Sequence, residues 1–526
     1  MAMVQSILLN GTAGTVVDVE CRLSNNLPTI VIVGFANRSV GEARERIRGA
    51  FASSRIMLPR KRITVNLAPA DVPKADSGFD LAIAVAILQA NQQIELTPEP
   101  RVFIGELGLD GRIRGVRGII GKLLAARSRG ITTFYIPAAN LQQARLVPNV
   151  RLVPIIELTQ LYRYFSGRTP YKPLSTGPGG QHPVSASLRA DVVRLSEIVG
   201  QPQAKRTLEI AAAGGHNLFL DGPPGTGKSM LARALPGLLP PLEREEMLEV
   251  TQLHSLASRD YNRIVTERPF RAPHHNTSLA AMTGGGFNLH PGEISLAHRG
   301  VLFLDELPEF NRETLEALRQ PLENRLVSVT RTHGTAEYPA NFIFVATANP
   351  CPCGYFGSPR CTCPEPRITN YRNRLSGPIL DRIDLYSNVH EIEHDKLLAQ
   401  PVSSSSDKAA QTRVVQARSL QARRFGSATK LNADMGNADI KELSHIHPEA
   451  LEILNLSTRR LNLSARAYMC TIKVARTIAD LESSAVITTA HLSEALHYRP
   501  LVNPGPTGAV GRYAGTPRKA GKSNGG

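Results

Sequence analysis

The sequence predicts an α/β protein: a mixed α/β domain, then a doubly wound parallel sheet carrying a phosphate-binding loop, then an all-helical domain. Three observations predict it. Residues 1–166 alternate strand-like runs with helical ones. From residue 190 a pattern of strand, glycine-rich turn and helix recurs through about residue 389, which is typical of parallel sheets covered by helices. After about residue 394, apolar residues recur at helical spacing.

Changes in composition set the domain boundaries. Residues 167–189 are rich in Gly, Pro, Ser and Thr, which predicts a flexible linker after the first domain. Residues 190–393 form the predicted sheet domain, and residues 394–504 form the helical one, with a loop at 401–406. Residues 505–526 carry four basic side chains, no acidic one and little that is apolar, so we expect a disordered basic tail.

The composition is that of a globular protein with polyanionic partners. The 526 residues are 42% hydrophobic and 20% charged, with a formal net charge of +16. This charge favours nucleic acid first and an anionic membrane second, although a surplus of charge also serves solubility alone. We find no apolar run of the roughly 20 residues that span a bilayer, no signal peptide, and too few cysteines for a disulfide scaffold. We therefore expect a cytoplasmic protein without a membrane partner.

A complete phosphate-binding motif, G-x-x-x-x-G-K-[ST], lies between an apolar strand at 217–220 and a helix that begins at 229. Its glycines let backbone N–H groups and the helix N-terminus surround phosphates. We expect Lys228 to reach the β- and γ-phosphates of ATP and Ser229 to bind Mg²⁺. A purely structural Gly-Pro turn is the alternative. The motif consists of Gly222, Pro223, Pro224, Gly225, Thr226, Gly227, Lys228 and Ser229.

Polar residues follow the ends of two further predicted strands. Asp305 and Glu306 follow the apolar run 301–304, and Asn349 follows the run 342–345. We expect Asp305 to hold Mg²⁺ through water, Glu306 to activate the attacking water, and Asn349 to orient that water or sense the γ-phosphate. Such residues also end strands for local reasons. The assignment therefore depends on the phosphate motif about 80 residues earlier in the chain.

Residues 293–310 resemble the magnesium-chelatase-like branch of the AAA+ ATPases, which includes the chelatase motor subunit and replicative helicases. The resemblance implies a ring, a hexamer by expectation, in which Arg382 is the arginine finger that reaches the γ-phosphate of a neighbouring subunit. It also implies that Arg466 is the sensor-2 arginine of a helical lid. Either arginine could instead form an ordinary ion pair, and Arg374 is a weaker candidate for the finger. A finger supplied by a neighbour makes hydrolysis depend on assembly.

Two C-x-C pairs follow Asn349 closely. Glycine and proline between the pairs let the chain fold back, so four thiolates could surround Zn²⁺ as a closed structural site. Redox-sensitive thiols and unliganded cysteines are the alternatives. If zinc is bound, we expect it to brace the loop. Cys21 and Cys470 stand alone and are expected in the core. The clustered residues are Cys351, Cys353, Cys361 and Cys363.

The first domain resembles the Lon-protease-like domain, related in fold to ribosomal protein S5, that opens proteins of the ComM/YifB family. A Lon protease needs a nucleophilic serine and a lysine that activates it. Alignment places Phe79 and Ile120 at these positions, whereas Ser77 and Lys122 would serve only in a shifted alignment. We therefore expect a scaffold or DNA-binding role rather than proteolysis. The resemblance rests on residues 65–71, 77–83 and 105–111.

A basic, histidine-containing segment at 268–275 and a glycine-rich one at 283–287 lie between the two nucleotide motifs. In this AAA+ branch, inserted hairpins at this place face the central pore. Cationic and aromatic groups there would grip DNA without reading its sequence. The alternative is that the arginines and histidines pack against the ATPase core.

Over about 500 residues the order of these parts resembles the ComM/YifB family. The family implies a hexameric, ATP-driven DNA helicase that promotes branch migration during recombination, notably when transforming DNA is integrated. Its expected partners are single-stranded and branched DNA. Two other classes stay open: a chelatase-type motor that drives metal insertion into a porphyrin, and a regulator or ATP-dependent protease.

Overall fold

The protein is described from a computed structural model. The predicted basic tail, Phe287 and most of the predicted linker lie outside the residues that the structure describes, as do the first residues of the predicted loop at 401–406. The described residues are 2–34, 38–70, 76–170, 173–177, 193–258, 260–286, 289–331, 334–375, 377–392 and 404–500.

The N-terminal region is a mixed eight-stranded sheet with helices against it, and its strand order is β10-β9-β8-β5-β1-β2-β4-β3. Alternate residues of β2 (Val17, Val19 and Cys21) are buried, because the side chains of a strand alternate between its two faces. The strands are β1 Ala2–Asn10, β2 Ala13–Ser24, β3 Thr29–Val33, β4 Arg62–Ala68, β5 Arg101–Phe103, β8 Thr133–Pro137, β9 Arg151–Ile155 and β10 Leu174–Ser175, with β6 Glu106–Leu107 and β7 Ile113–Arg114 as a separate ribbon. The helices are α1 Arg38–Ser53, α2 Asp80–Ala90, α3 Ile119–Arg127, α4 Leu141–Ala144 and α5 Leu158–Phe165.

A second, five-stranded sheet follows, in which every pair is parallel and the order is β12-β15-β18-β11-β19. The carboxyl ends of neighbouring parallel strands meet at one edge, where ligands bind in such sheets. The strands are β11 Leu218–Asp221, β12 Phe270–Arg271, β15 Val301–Leu304, β18 Ile343–Ala348 and β19 Leu385–Asn388, with the hairpins β13 Gly284–Gly285 to β14 His290–Pro291 and β16 Leu326–Arg331 to β17 Gly334–Pro339. The helices are α6 Pro202–Gly214, α7 Lys228–Leu238, α8 Arg244–Ala257, α9 Leu279–Thr283, α10 Glu293–Leu296, α11 Arg312–Ala317, α12 Arg319–Asn324, α13 Glu365–Asn373 and α14 Gly377–Leu380.

Beyond residue 403 the described chain is helical. A single apolar cluster joins these helices to α6, α7 and the five-stranded sheet, with Ala410, Val414, Ala475 and Ile478 packed among residues of the sheet domain. Cys470 is buried here, and its thiol donates to Asp384 at 2.8 Å. The helices are α15 Ser404–Phe425, α16 Asn437–Leu443, α17 Pro448–Leu461, α18 Ala465–Leu481 and α19 Thr489–His497.

The N-terminal region packs directly on the sheet domain. Met247 and Leu248 of α8 share an apolar cluster with Ile119 and Leu123 of α3. Polar contacts surround this cluster, among them Gln143 Nε2 donating to the carbonyl of Tyr261 at 2.8 Å. The two regions are therefore joined by a common core as well as by the chain between them.

Three boundaries differ from the sequence expectations. Strand β10 lies inside the predicted linker, because residues 174–175 pair with β9 and so extend the first sheet. Helix α15 begins at Ser404, inside the loop predicted at 401–406. Apolar residues at helical spacing from 461 to 481 predict one helical run, but the chain breaks at Asn462, whose φ of 48° lies in the left-handed region and ends α17, while Ser464 caps α18.

Candidate nucleotide site

The phosphate-binding motif forms a loop between β11 and α7, as its spacing predicts. Gly227 caps the helix with a φ of +89°, and Gly225 has a φ of +78°. No described atom lies within 4 Å of where a Cβ would stand on either glycine. The loop therefore presents an open backbone cradle at a helix N-terminus, which suits a phosphate group.

Lys228 is folded over its own loop. Its Nζ donates to the carbonyls of Gly222 at 2.6 Å and Pro223 at 2.7 Å, and to Oδ1 of Asn349 at 3.0 Å. Burial lowers the pKa of Lys228, and the negative charges of three carboxylates oppose that shift; they belong to Asp221, Asp305 and Glu306. The lysine and Asn349, 121 positions apart, thus meet at one edge of the sheet.

The acidic pair stands at the end of β15. Asp305 accepts from Ser229 Oγ at 2.9 Å through one oxygen and from Thr347 Oγ1 at 2.5 Å through the other. The next residue, Glu306, is exposed and has a φ of 53°, a strained conformation of the kind that persists at functional sites. Its backbone N–H donates to Thr347 Oγ1 at 3.0 Å. A serine hydroxyl beside a carboxylate is a fitting pair of oxygen ligands for Mg²⁺.

Asp221 ends β11 directly before the loop and is buried. Burial raises the pKa of this carboxyl group to about 6, and the charges of Arg372 and Lys228 lower it. Arg372 also donates to the carbonyl of Pro350 at 3.2 Å and lies over the ring of Phe356 at 4.5 Å. Asp221, directly before the phosphate loop, therefore interacts electrostatically with both Arg372 and Lys228.

The two arginines implied by the family resemblance have partners outside the phosphate loop or none among the described contacts. Arg382 donates from Nη2 to Glu323 at 2.6 Å and from Nη1 to the carbonyl of Pro378 at 2.5 Å. The charges of Arg382 and Arg466 both lower the pKa of Glu323. Among the described residues, neither arginine hydrogen-bonds to the phosphate loop or the acidic pair. Arg374, the weaker candidate, pairs with Glu309 at 3.1 Å.

The four clustered cysteines converge, and their Sγ atoms all lie within 4.8 Å of one another. Cys351 Sγ lies 3.3 Å from Cys353 Sγ and 3.9 Å from Cys361 Sγ, with Cys363 in the same group. Backbone N–H groups of Tyr355 and Thr362 lower the pKa of Cys353 to about 6, whereas burial raises the pKa of Cys351 to about 12 and that of Cys363 as well. The arrangement fits a four-thiolate site for a tetrahedral metal.

In the N-terminal region the side chains around the shifted Ser–Lys pair have other partners. The hydroxyl of Ser77 donates to Glu106, and buried Lys122 forms an ion pair with Asp76. Phe79 and Ile120, at the aligned positions, are buried apolar residues. Among the described residues, no hydrogen bond joins Ser77 to Lys122, and the absence of protease activity stays a prediction.

The basic segment 268–275 favours the packing alternative for its arginines. Arg268 pairs with Glu246 at 2.8 Å and Arg271 pairs with Glu293 at 2.5 Å. The rings of His274 and His275 lie 4.0 Å apart. The arginines expected to grip DNA are therefore already committed to carboxylates.

Sequence reasoning missed four residues of the site: Asp221, Glu323, Thr347 and Arg372. A polar Thr347 inside the otherwise apolar strand β18 is a local signal that could have indicated it. The contacts of Glu323 and Arg372 are set by tertiary packing and leave no local pattern.

Comparison with known proteins places the chain in one family over most of its length. Family models match three stretches: subunit ChlI of Mg-chelatase at residues 19–140, magnesium chelatase subunit ChlI at 194–397, and its C-terminal region at 404–499. The chain is 41% identical to competence protein ComM of Haemophilus influenzae over 507 residues, covering 95% of this chain and 98% of that protein. It is 41% identical to YifB of Escherichia coli over 485 residues, covering 92% and 94%.

The similarity to chelatase subunits is more distant and shorter. The magnesium-chelatase 38 kDa subunit of Rhodobacter capsulatus is 27% identical over 188 residues, which cover 32% of this chain and 54% of that protein. A search for membrane spans gives one further result: in the described part of the chain, no helix combines the length and apolar character needed to cross a bilayer.

Proposed function

Because the chain belongs to the ComM/YifB family of magnesium-chelatase-like AAA+ ATPases, we propose that it is a hexameric, ATP-driven DNA motor. Its action would be branch migration during homologous recombination, as in the integration of transforming DNA. The observation that carries the proposal is similarity to a competence protein over nearly the full length of both chains.

The chemistry assigned to the phosphate-loop side follows from its contacts. Lys228 and the backbone of the loop would hold the phosphates of ATP, and Ser229 and Asp305 would hold Mg²⁺, which supplies charge neutralisation. Glu306, exposed beside this pair, is proposed as the general base for water. Asn349, bonded to Lys228, would orient that water.

Arg382 and Arg466 are proposed to act on a neighbouring subunit. Among the described residues, Arg382 bonds to Glu323 and neither arginine bonds to the phosphate loop of its own chain, which supports this role. In a ring, each active site would then combine the loop of one subunit with the arginines of the next. The hexamer would follow from closing that head-to-tail contact.

DNA is proposed as the partner on the strength of charge. The formal net charge of +16 favours a sequence-independent grip on phosphates. Because Arg268 and Arg271 are ion-paired, cationic groups other than these two are proposed to supply the contacts. The four clustered cysteines are proposed to hold one Zn²⁺, which matches their convergence.

A second candidate is a chelatase-type motor that drives metal insertion into a porphyrin. The observation that favours it is that the three matching family models describe chelatase subunits. A porphyrin-dependent rise in ATP hydrolysis would support it over the DNA motor. An ATP-dependent protease is the weaker third class, given the partners of Ser77 and Lys122.

The test is ATP hydrolysis by the purified chain with and without single-stranded, duplex and branched DNA. We expect stimulation by DNA, strongest with branched substrates, and its loss in Glu306→Gln. A strand-exchange assay then measures branch migration directly. Hydrolysis indifferent to every DNA at low and physiological salt would overturn the DNA motor while leaving the ATPase in place.

A further inference from the structure

The cysteine loop, residues 351–363, has little apolar support. It runs from the end of β18 to the start of α13 without a helix or strand of its own. Cys351 is buried in it, whereas Phe356 remains 46% exposed. A segment with so little core needs another source of order, and four converging thiolates around one metal ion would supply it.

The same loop rests on the phosphate loop. A Cβ added to Gly354 would stand 2.5 Å from Cδ and 3.0 Å from Cγ of Pro224, so the backbone of one loop lies against the proline ring of the other. The phosphate loop also lies close to the residue that follows β19: a Cβ on Gly222 would stand 2.2 Å from the carbonyl oxygen of Val389. Two segments distant in sequence therefore approach the phosphate loop closely.

Two further contacts connect the cysteine loop to the nucleotide site. Asn349, two residues before Cys351, accepts from Lys228. Arg372 bonds the carbonyl of Pro350, stacks on Phe356 and acts electrostatically on Asp221 beneath the phosphate loop. Asn349 and Pro350 just before the cysteine loop, Gly354 in its middle and Phe356 therefore all contact residues that form or adjoin the phosphate loop.

We propose that the cysteine loop is a zinc-dependent brace of the phosphate loop, so that loss of the metal weakens nucleotide binding in the same subunit. This inference rests on the proposed nucleotide and zinc sites and adds their coupling. Zinc would hold the cysteine loop in one conformation. The cysteine loop would in turn keep Pro224 and Asn349 in place, so that the backbone of the phosphate loop keeps the shape that binds phosphate. Oxidation or chelation at the cysteines would then lower ATP occupancy without touching a nucleotide ligand.

The first experiment measures zinc and nucleotide binding on the full chain. Elemental analysis of the purified protein should find about one zinc per chain. Displacement of the metal with a mercurial and a chelator should weaken binding of a fluorescent non-hydrolysable ATP analogue by about tenfold, and added thiol and zinc should restore it. Cys363→Ser should lose the metal, while Cys21→Ala, a cysteine outside the loop, should keep it.

The second experiment separates the contact from the metal with two matched glycines. Gly354 and Gly357 have φ values of +86° and +85°, so alanine is strained to the same degree at both. Only at Gly354 would the new Cβ meet Pro224; at Gly357 no described atom lies within 4 Å. Gly354→Ala should bind the analogue about tenfold more weakly than Gly357→Ala, because the phosphate loop must move.

The possible outcomes test the zinc site, its coupling to the phosphate loop and the nucleotide site separately. Absence of zinc from the folded protein would overturn the metal site and with it the brace. Zinc that is present, but whose removal leaves analogue binding unchanged, would overturn the coupling alone, as would equal binding by the two glycine variants. Failure of the analogue to bind the zinc-loaded wild-type chain would instead overturn the proposed nucleotide site.

Discussion

The phosphate-loop side and the arginine side of the candidate site are held in opposite ways. Lys228, Ser229, Asp305 and Asn349 bond to one another within a single chain, at the carboxyl edge of one sheet. Arg382 instead pairs with Glu323, a side chain that is 55% exposed, and Arg466 is exposed. The first group is joined within one chain, whereas the two arginines have no hydrogen bond to it among the described residues.

This difference indicates how the chain divides its work. A side chain already bonded to the other groups of its site is preorganised for its role in the same molecule. Arg382 is held by the exposed carboxylate of Glu323 and by the carbonyl of Pro378, and an ion pair with an exposed partner can be exchanged at modest cost. We therefore propose that the phosphate loop binds nucleotide in its own subunit and that the arginines act on the neighbouring one, and the predictions below test that division.

The largest effect is expected from Lys228→Ala. Loss of the lysine removes the cation that faces the phosphates, so both nucleotide binding and hydrolysis should fall, the latter by about a thousandfold. Steady-state hydrolysis and analogue binding measure the two. Lys441→Ala, an exposed lysine on α16, is the control, and equal activity of the two variants would contradict the assignment.

Arg382→Ala should lower hydrolysis by about a hundredfold or more while nucleotide binding by the isolated chain persists. The reason is that this arginine makes no contact with its own phosphate loop in the described structure. Arg374→Ala removes the other finger candidate, which pairs with Glu309, and should change hydrolysis little. Reversed results for the two variants would move the finger to Arg374.

Glu323→Gln should have a smaller effect, a fall in hydrolysis of about two- to fivefold, since it removes one exposed ion pair that orients Arg382. The apparent KM for ATP should hold while kcat drops. Glu316→Gln is the matched control, because Glu316 on α11 also pairs with an arginine, Arg319, at 2.7 Å. A change in KM alone would show that Glu323 acts on binding rather than on the arginine.

The smallest effect is expected on stability rather than on hydrolysis, and it comes from Asp221, the buried carboxyl group directly before the phosphate loop. Asp221 has a pKa raised to about 6 by burial, above its ordinary value of 3.8. Its protonation therefore favours the folded state, and that stabilisation, on the order of 2 to 3 kcal/mol, is present below pH 3.8 and lost as the pH rises through about 6. Melting curves of Asp221→Asn between pH 4 and 7 should show a smaller decline than wild type. The control Asp110→Asn, at an exposed carboxylate, should lose stability with pH as the wild type does. If Asp221→Asn also declined as steeply as the wild type, the raised pKa of Asp221 would be contradicted.

Much of the phosphate-loop side was predictable because its chemistry is local in the sequence. A glycine-rich turn, an apolar strand ending in Asp305 and a second strand leading to Asn349 each have a short pattern, and parallel strands bring those ends together. The partners of Arg382 and Arg372 could not be predicted, because they depend on packing between distant segments. The basic segment at 268–275 shows the opposite case, since its charge pattern indicated DNA but its arginines pair with carboxylates.

The predicted ends of helices and strands were wrong for a related reason. A run of apolar residues at helical spacing did not reveal the break at Asn462, where a left-handed residue turns the chain. Strand β10 could not be found either, because two exposed residues, Leu174 and Ser175, join the sheet by backbone pairing with β9. Local propensity determines elements, but their ends are determined by tertiary partners.

The most direct test of the division between subunits is complementation between Lys228→Ala and Arg382→Ala chains. Each variant alone should be nearly inactive. In an equimolar mixture, about a quarter of the contacts would join an intact phosphate loop to an intact arginine, and hydrolysis should recover to that order. Recovery would support an active site shared by neighbouring subunits. No recovery at any mixing ratio, in rings shown to contain both variants, would contradict it and return Arg382 to its own chain.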